Sequence, residues 1–134
     1  IGLAVDLNPL AVVNADKNFR RFNADFEAVE SDLFDNVPPQ QFDWVFVNGP
    51  YTEGVVTEPL QLAFYGARKF LTRVFIEVPG FLNPQGKILM TFAEWGDLEF
   101  FEGTAQDNGF TFRIIDKKSS ENQRTYRLYE LTMM

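Results

Sequence analysis

The chain has 134 residues, 46% of them hydrophobic, enough to bury roughly two-thirds of its unfolded surface around one core. Its 12 Lys and Arg stand against 19 Asp and Glu, and a formal net charge of −7 argues against a general polyanion-binding surface. Cysteine and histidine are absent, which excludes disulfides, thiolate or imidazole metal sites, and Ser-His or Cys-His nucleophilic pairs. Any chemistry therefore falls to carboxylates, amides, backbone groups or a cofactor. Two clusters, Arg20-Arg21 and Arg68-Lys69-Arg73, leave room for a local basic patch, although solvated helix faces are the better reading of both.

Ile1 to Val5 is a short apolar run ending in Asp6, and Asn8-Pro9 supplies a helix cap followed by proline in the first turn. Leu10, Val13, Phe19 and Phe22 recur near helical spacing up to Asn23. Phe26 to Glu30 reads as a second strand, Val37-Pro38-Pro39 as loop, and Asp43 to Val47 as a third strand. From Leu60 the apolar positions keep a helical period, predicting one long helix that Pro79-Gly80 must kink or end. Asn83 to Gly86 reads as a turn, Lys87 to Ala93 as a buried strand, and Asp97 to Asn108 as a helix that Gly109 terminates. Phe110 to Asp116 and Arg124 to Leu131 flank a polar segment too short for a helical crossover, so they are predicted to be antiparallel neighbours. No repeat, low-complexity tract or domain boundary interrupts residues 1 to 134. The expectation is one domain.

Asn48-Gly49-Pro50-Tyr51 directly follows the third strand. A buried strand that stops at an amide, a turn and an aromatic ring presents the acceptors and the flat surface needed to hold a planar nitrogen group. Alone, Asn-Gly is ordinary hairpin chemistry. Asp6-Leu7-Asn8-Pro9 is equally readable as a helix cap or as the ribose-binding strand end of a nicotinamide dinucleotide protein, and Asp32 as a loop carboxylate.

Three segments taken in order, Val5-Asp6-Leu7-Asn8-Pro9, Ser31-Asp32-Leu33-Phe34 and Phe42 to Tyr51, resemble class I S-adenosylmethionine-dependent methyltransferases. Within these the chain is most similar to the amino-methylating group with an Asn-Pro-Pro-Tyr motif, chiefly HemK-like protein glutamine methyltransferases and, second, nucleic-acid amino methyltransferases. The resemblance implies an α/β fold: a three-layer Rossmann-like sheet, mostly parallel, with an antiparallel C-terminal hairpin. It assigns Asp6, with Leu7 beside it, to the ribose of S-adenosylmethionine, and Asp32 and Leu33 to its adenine. Asn48, Gly49, Pro50 and Tyr51 take the catalytic role, with Asn48 also next to the cofactor. No metal is implied. An amide or exocyclic nitrogen is a poor nucleophile because its lone pair is delocalised, and acceptors for its hydrogens localise that pair toward the sulfonium methyl. The Asn48 side-chain oxygen and the Gly49 carbonyl are those acceptors. Tyr51 stacks on the planar group, worth ~1–3 kcal/mol if that group is a base.

The chain departs from the family in two ways. Gly49 replaces the first proline of the motif, and no two glycines are separated by one residue, so the family's first strand, Gly-rich loop and first helix are not seen. The expectation is an N-terminally truncated domain with a six-stranded sheet, weak or inactive as an isolated chain. In it the Ile1 to Val5 strand either closes on Asp43 to Val47 or leaves a gap that a second copy fills as a homodimer. A protein or nucleic-acid substrate carrying a planar amide or amino group follows, and so does a cytoplasmic location without membrane attachment. The alternative is a non-catalytic methyltransferase-like module used for binding or assembly.

Overall fold

The computed structural model describes residues 1 to 134, and they divide into two compact units, Ile1–Pro39 and Gln40–Met134. The first unit holds strand β1 (Gly2–Asp6), helix α1 (Pro9–Arg21) and strand β2 (Phe26–Glu30). β1 and β2 pair in parallel from Gly2 opposite Phe26 to Asp6 opposite Glu30. Asn8 caps α1, its side-chain oxygen accepting the Leu10 N–H at 3.0 Å, and Pro9 opens the first turn with φ already suited to helix. The chain leaves the helix through Asn23, whose φ of 50° suits the short polar side chain. Phe19 then stacks on Phe26 with ring centroids 5.2 Å apart.

The second unit contains strand β3 (Phe42–Val47), helix α2 (Ala67–Glu77), strand β4 (Leu82–Ala93), helix α3 (Leu98–Asp107) and strands β5 (Phe110–Ser119) and β6 (Thr125–Met133). Its strand order is β3-β4-β6-β5. β3 and β4 are parallel, while β6 runs antiparallel to both β4 and β5, so the closing hairpin forms as expected. The core is aromatic. Phe75, Phe92, Phe101, Phe110 and Tyr129 are fully buried, with Phe92 stacked on Phe101 at 4.7 Å and Phe101 edge-on to Tyr129 at 4.7 Å. Alternation along β4 buries Ile88, Met90 and Phe92 on one face and turns Leu89 and Thr91 to the other.

Three local expectations need correction. The long helix from Leu60 is broken: Pro59–Ala63 is a 3-10 turn, Gly66 sits at φ 85° and α2 starts only at Ala67. Leu60 and Phe64, which kept the helical period, are exposed, so periodicity there did not report burial. The Asn83 to Gly86 turn lies inside β4. Between the Phe42–Leu82 and Trp44–Lys87 pairs β4 advances five residues while β3 advances two, so this segment bulges from the ladder. Finally, β5 continues through Lys117 and Lys118 to Ser119, and the turn tightens to Ser120–Arg124, where the Ser120 N–H donates to the Arg124 carbonyl at 2.8 Å.

Within the first unit β1 and β2 form a two-stranded sheet, and within the second the other four strands form a four-stranded one. No helix is long and apolar enough to cross a membrane.

Candidate functional site

In the first unit, the carboxyl ends of two adjacent parallel strands bring two of the candidate segments together. Asp6 ends β1, and its carbonyl accepts the N–H of Ser31 just beyond β2 at 3.0 Å. The Asp6 carboxylate accepts the Asn8 N–H at 2.8 Å, which holds it at the mouth of the strand pair, and Leu7 beside it is exposed. The loop carrying Asp32 and Leu33 is tied by the side chains of Ser31 and Asn36. Ser31, 3% exposed, donates its hydroxyl to the Leu33 carbonyl at 2.8 Å and accepts the Asn36 N–H at 2.9 Å. The Asn36 side chain donates to the Glu30 carbonyl at 2.9 Å. These bonds hold Leu33 at φ 52°, an unfavourable conformation for a branched side chain and hence one that its surroundings must enforce. In open parallel sheets such strand ends are where ligands bind.

In the second unit, Asn48 to Tyr51 follow β3. The Tyr51 hydroxyl donates to Asn48 Oδ1 at 2.7 Å, the Thr91 hydroxyl donates to the same oxygen at 2.8 Å, and the two hydroxyls lie 3.1 Å apart. Thr91 arrives there through the β3–β4 register, which pairs Val47 with Met90 and so places the next residues of the two strands side by side. The Tyr51 ring is fixed by edge contacts with Phe92 at 5.5 Å and Trp95 at 5.8 Å and a tilted contact with Tyr126 at 5.9 Å. Pro50 is buried. Gly49 has no positive φ; what it supplies is space, because a Cβ there would fall 2.1 Å from Phe70 Cε1. The altered motif residue is thus matched by a ring from α2. Thr91, Trp95, Tyr126 and Phe70 carry no local motif, and only the strand register and the packing of α2 reveal them.

Tyr51 and Trp95 also line a cleft of about 240 Å³ with Glu53, Arg68, Asp97 and Phe100. Glu53 accepts the Arg68 backbone N–H at 2.6 Å, capping a helix whose own cap residue, Gly66, has no side chain to do so. The Arg68 guanidinium donates to Asp97 at 2.6 Å and lies 5.1 Å from the centre of the Phe100 ring. Arg68, then the Phe100 N–H, hold the Asp97 carboxyl below its ordinary value. Arg73 is paired to Glu77 at 2.7 Å, so two of the three cations in the Arg68-Lys69-Arg73 cluster are compensated by carboxylates. At the far end of β4, Arg127 and Lys117 likewise hold Glu94 low, at 2.8 and 3.0 Å.

The architecture is that of the Rossmann-like methyltransferases. A methyltransferase from Pyrococcus furiosus superposes with a TM-score of 0.72 at 17% identity, over 98% of this chain and 62% of that one. A SAM-dependent methyltransferase from Bacteroides fragilis, in complex with S-adenosyl-L-homocysteine, gives 0.62 at 18% identity, over 97% of this chain and 62% of that one. Residues 3–94 match the methyltransferase small domain, and the chain belongs to that family. A protein of Methanocaldococcus jannaschii named "Putative protein N5-glutamine methyltransferase" is 34% identical over 93 residues, 64% of this chain and 47% of the relative. The chain therefore spans about half the length of that curated relative.

Proposed function

We propose that this chain is part of an enzyme that transfers the methyl group of S-adenosylmethionine to a planar amide or amino nitrogen, with the side-chain amide of a protein glutamine as the favoured acceptor. The observation that carries this reading is the end of β3, where the Asn48 amide oxygen, the Gly49 carbonyl and the Tyr51 ring follow one another on a fixed strand end. The similarity to a relative named for glutamine methylation supports the choice of acceptor, and so does the net charge of −7, which disfavours RNA or DNA.

Each group has a defined task. Asp6 accepts hydrogen bonds from the ribose hydroxyls, with Leu7 against the sugar. Asp32 accepts from the adenine amino group, and Leu33 packs on the ring. Asn48 Oδ1 and the Gly49 carbonyl accept the hydrogens of the substrate nitrogen, drawing its lone pair out of conjugation and toward the methyl group. Pro50 fixes the backbone between these acceptors and Tyr51, and Tyr51 stacks on the planar group. The cofactor supplies the methyl group, and the protein binds, orients and excludes water. Self-association through strand edges is part of the same reading. β3 has no partner on its second side within its own sheet, and Trp44 and Phe46 on it are exposed.

Transfer of tritium from methyl-labelled S-adenosylmethionine to a glutamine-bearing protein fragment tests the reaction. Label appearing as N5-methylglutamine supports it. Label absent from proteins but present in a nucleic-acid base would move the acceptor, and no transfer to any amide or amino group would favour a binding or assembly module.

A further inference from the structure

The Tyr51 hydroxyl, the Thr91 hydroxyl and Asn48 Oδ1 form a triangle with sides of 2.7, 2.8 and 3.1 Å. Only two protons serve those three contacts, because each hydroxyl carries one and the amide oxygen none. The two shorter sides both end on Asn48 Oδ1 and take the protons, leaving the 3.1 Å side between the hydroxyls without one. An amide oxygen has two lone pairs, so the protein itself fills both. An N–H of a methyl acceptor then finds no free lone pair on Asn48 unless one hydroxyl withdraws.

We propose that Thr91 is the positioning residue of this site: it holds Asn48 through its own hydroxyl and takes over the Tyr51 hydroxyl proton when a substrate N–H occupies Asn48 Oδ1. The inference rests on reading the site as an N-methylating one. The exchange is a rotation of the Tyr51 O–H about its C–O bond, from Asn48 to Thr91 Oγ1, and no covalent bond is made or broken. Thr91 accepts that proton while still donating to Asn48, since a hydroxyl has two lone pairs beside its own hydrogen. The result is a chain from Tyr51 through Thr91 to Asn48, each bond polarising the next, with one lone pair of Oδ1 facing the substrate. Phe92, Trp95 and Tyr126 keep the Tyr51 ring in place, so its proton moves while its oxygen stays. Of the two hydroxyls, Tyr51 is the one that switches, because Thr91 on β4 is held beside Asn48 by the strand register.

The test compares steady-state methylation of a glutamine-bearing peptide by the wild-type protein, Thr91→Val, Thr91→Ser, Tyr51→Phe and the Thr91→Val/Tyr51→Phe double variant. Valine keeps the shape and leaves the Tyr51 proton no acceptor but Asn48. We expect kcat to fall about tenfold in Thr91→Val with little change in KM for S-adenosylmethionine. Serine should restore it, and adding Tyr51→Phe to Thr91→Val should recover part of the loss by removing the competing donor. A Thr91→Val enzyme as fast as wild type, or a double variant whose loss is the plain product of the two single losses, overturns the proposal. If the wild-type protein transfers no methyl at all, the reading of the reaction fails, and the triangle is judged independently by the Asn48 side-chain carbonyl carbon in NMR. That resonance should move upfield in both Thr91→Val and Tyr51→Phe, and a resonance unmoved in either variant overturns it.

Discussion

Individual side chains at the end of β3 set the sharpest expectations. Asn48→Ala removes the side-chain acceptor while leaving the Gly49 carbonyl, and kcat for methyl transfer should drop roughly a hundredfold or more, measured by label incorporation. Position 49 tests a different property. A Cβ there would meet Phe70 Cε1 at 2.1 Å, so restoring the family's residue with Gly49→Pro should destabilise the protein, and Phe70→Ala in the same chain should relieve the clash. Thermal midpoints of the two single variants and the double variant measure this coupling; a Gly49→Pro protein as stable as wild type would contradict the packing account. The sequence made Asn48, Gly49, Pro50 and Tyr51 visible because they are contiguous and stand where an apolar run stops. It did not show why glycine is tolerated at 49. That answer belongs to a ring on α2, 21 positions further on, which no local pattern connects to the strand end.

At the level of elements, the aromatic stack between β4, α3 and β6 is the main stabilising feature of the second unit. Phe101 is fully buried against Phe75, Phe92 and Tyr129, and Phe101→Ala should cost about 3–5 kcal/mol of unfolding free energy in a urea titration. Ion pairs along the sheet add a pH dependence of known sign. Arg127 holds Glu94 low, Arg68 holds Asp97 low and Arg113 holds Glu130 low. Their ordinary values are 4.5, 3.8 and 4.5, so this stabilisation is complete above those values and disappears as pH falls below them and the folded carboxylates take up protons. At the alkaline end, burial pushes the Tyr129 hydroxyl from 10.0 up to about 12, so stability is complete below pH 10 and declines between 10 and about 12, as only the unfolded chain ionises. A plot of thermal midpoint against pH should be flat in the middle and fall at both ends, and a midpoint that rose on acidification would contradict these pairings. Helices α1 and α3 were legible because each begins at a side-chain cap, Asn8 and Asp97, and α3 ends before a glycine, Gly109, at φ 84°. The helix expected from Leu60 failed because Gly66 at φ 85° interrupts a period that the apolar residues continue on both sides.

For the molecule as a whole, strand pairing was the property least accessible to sequence. Six strands and their order along the chain follow from local composition, but their division into sheets of two and four depends on which backbones meet. The expected self-association rests on the second side of β3, which no strand of its own sheet pairs. Sedimentation velocity should show a species of twice the chain mass or more at micromolar concentration, and a monomer throughout would remove that expectation. The proposed activity depends on a bound cofactor. Asp6 and Asp32 lie at the ends of adjacent parallel strands in the first unit, and their proposed work is to hold the nucleoside of S-adenosylmethionine. The most direct measurement is calorimetric titration of the protein with S-adenosylhomocysteine, alongside Asp6→Ala. Micromolar binding that weakens at least tenfold in the variant is the predicted result, whereas no heat of binding up to millimolar ligand would contradict the account.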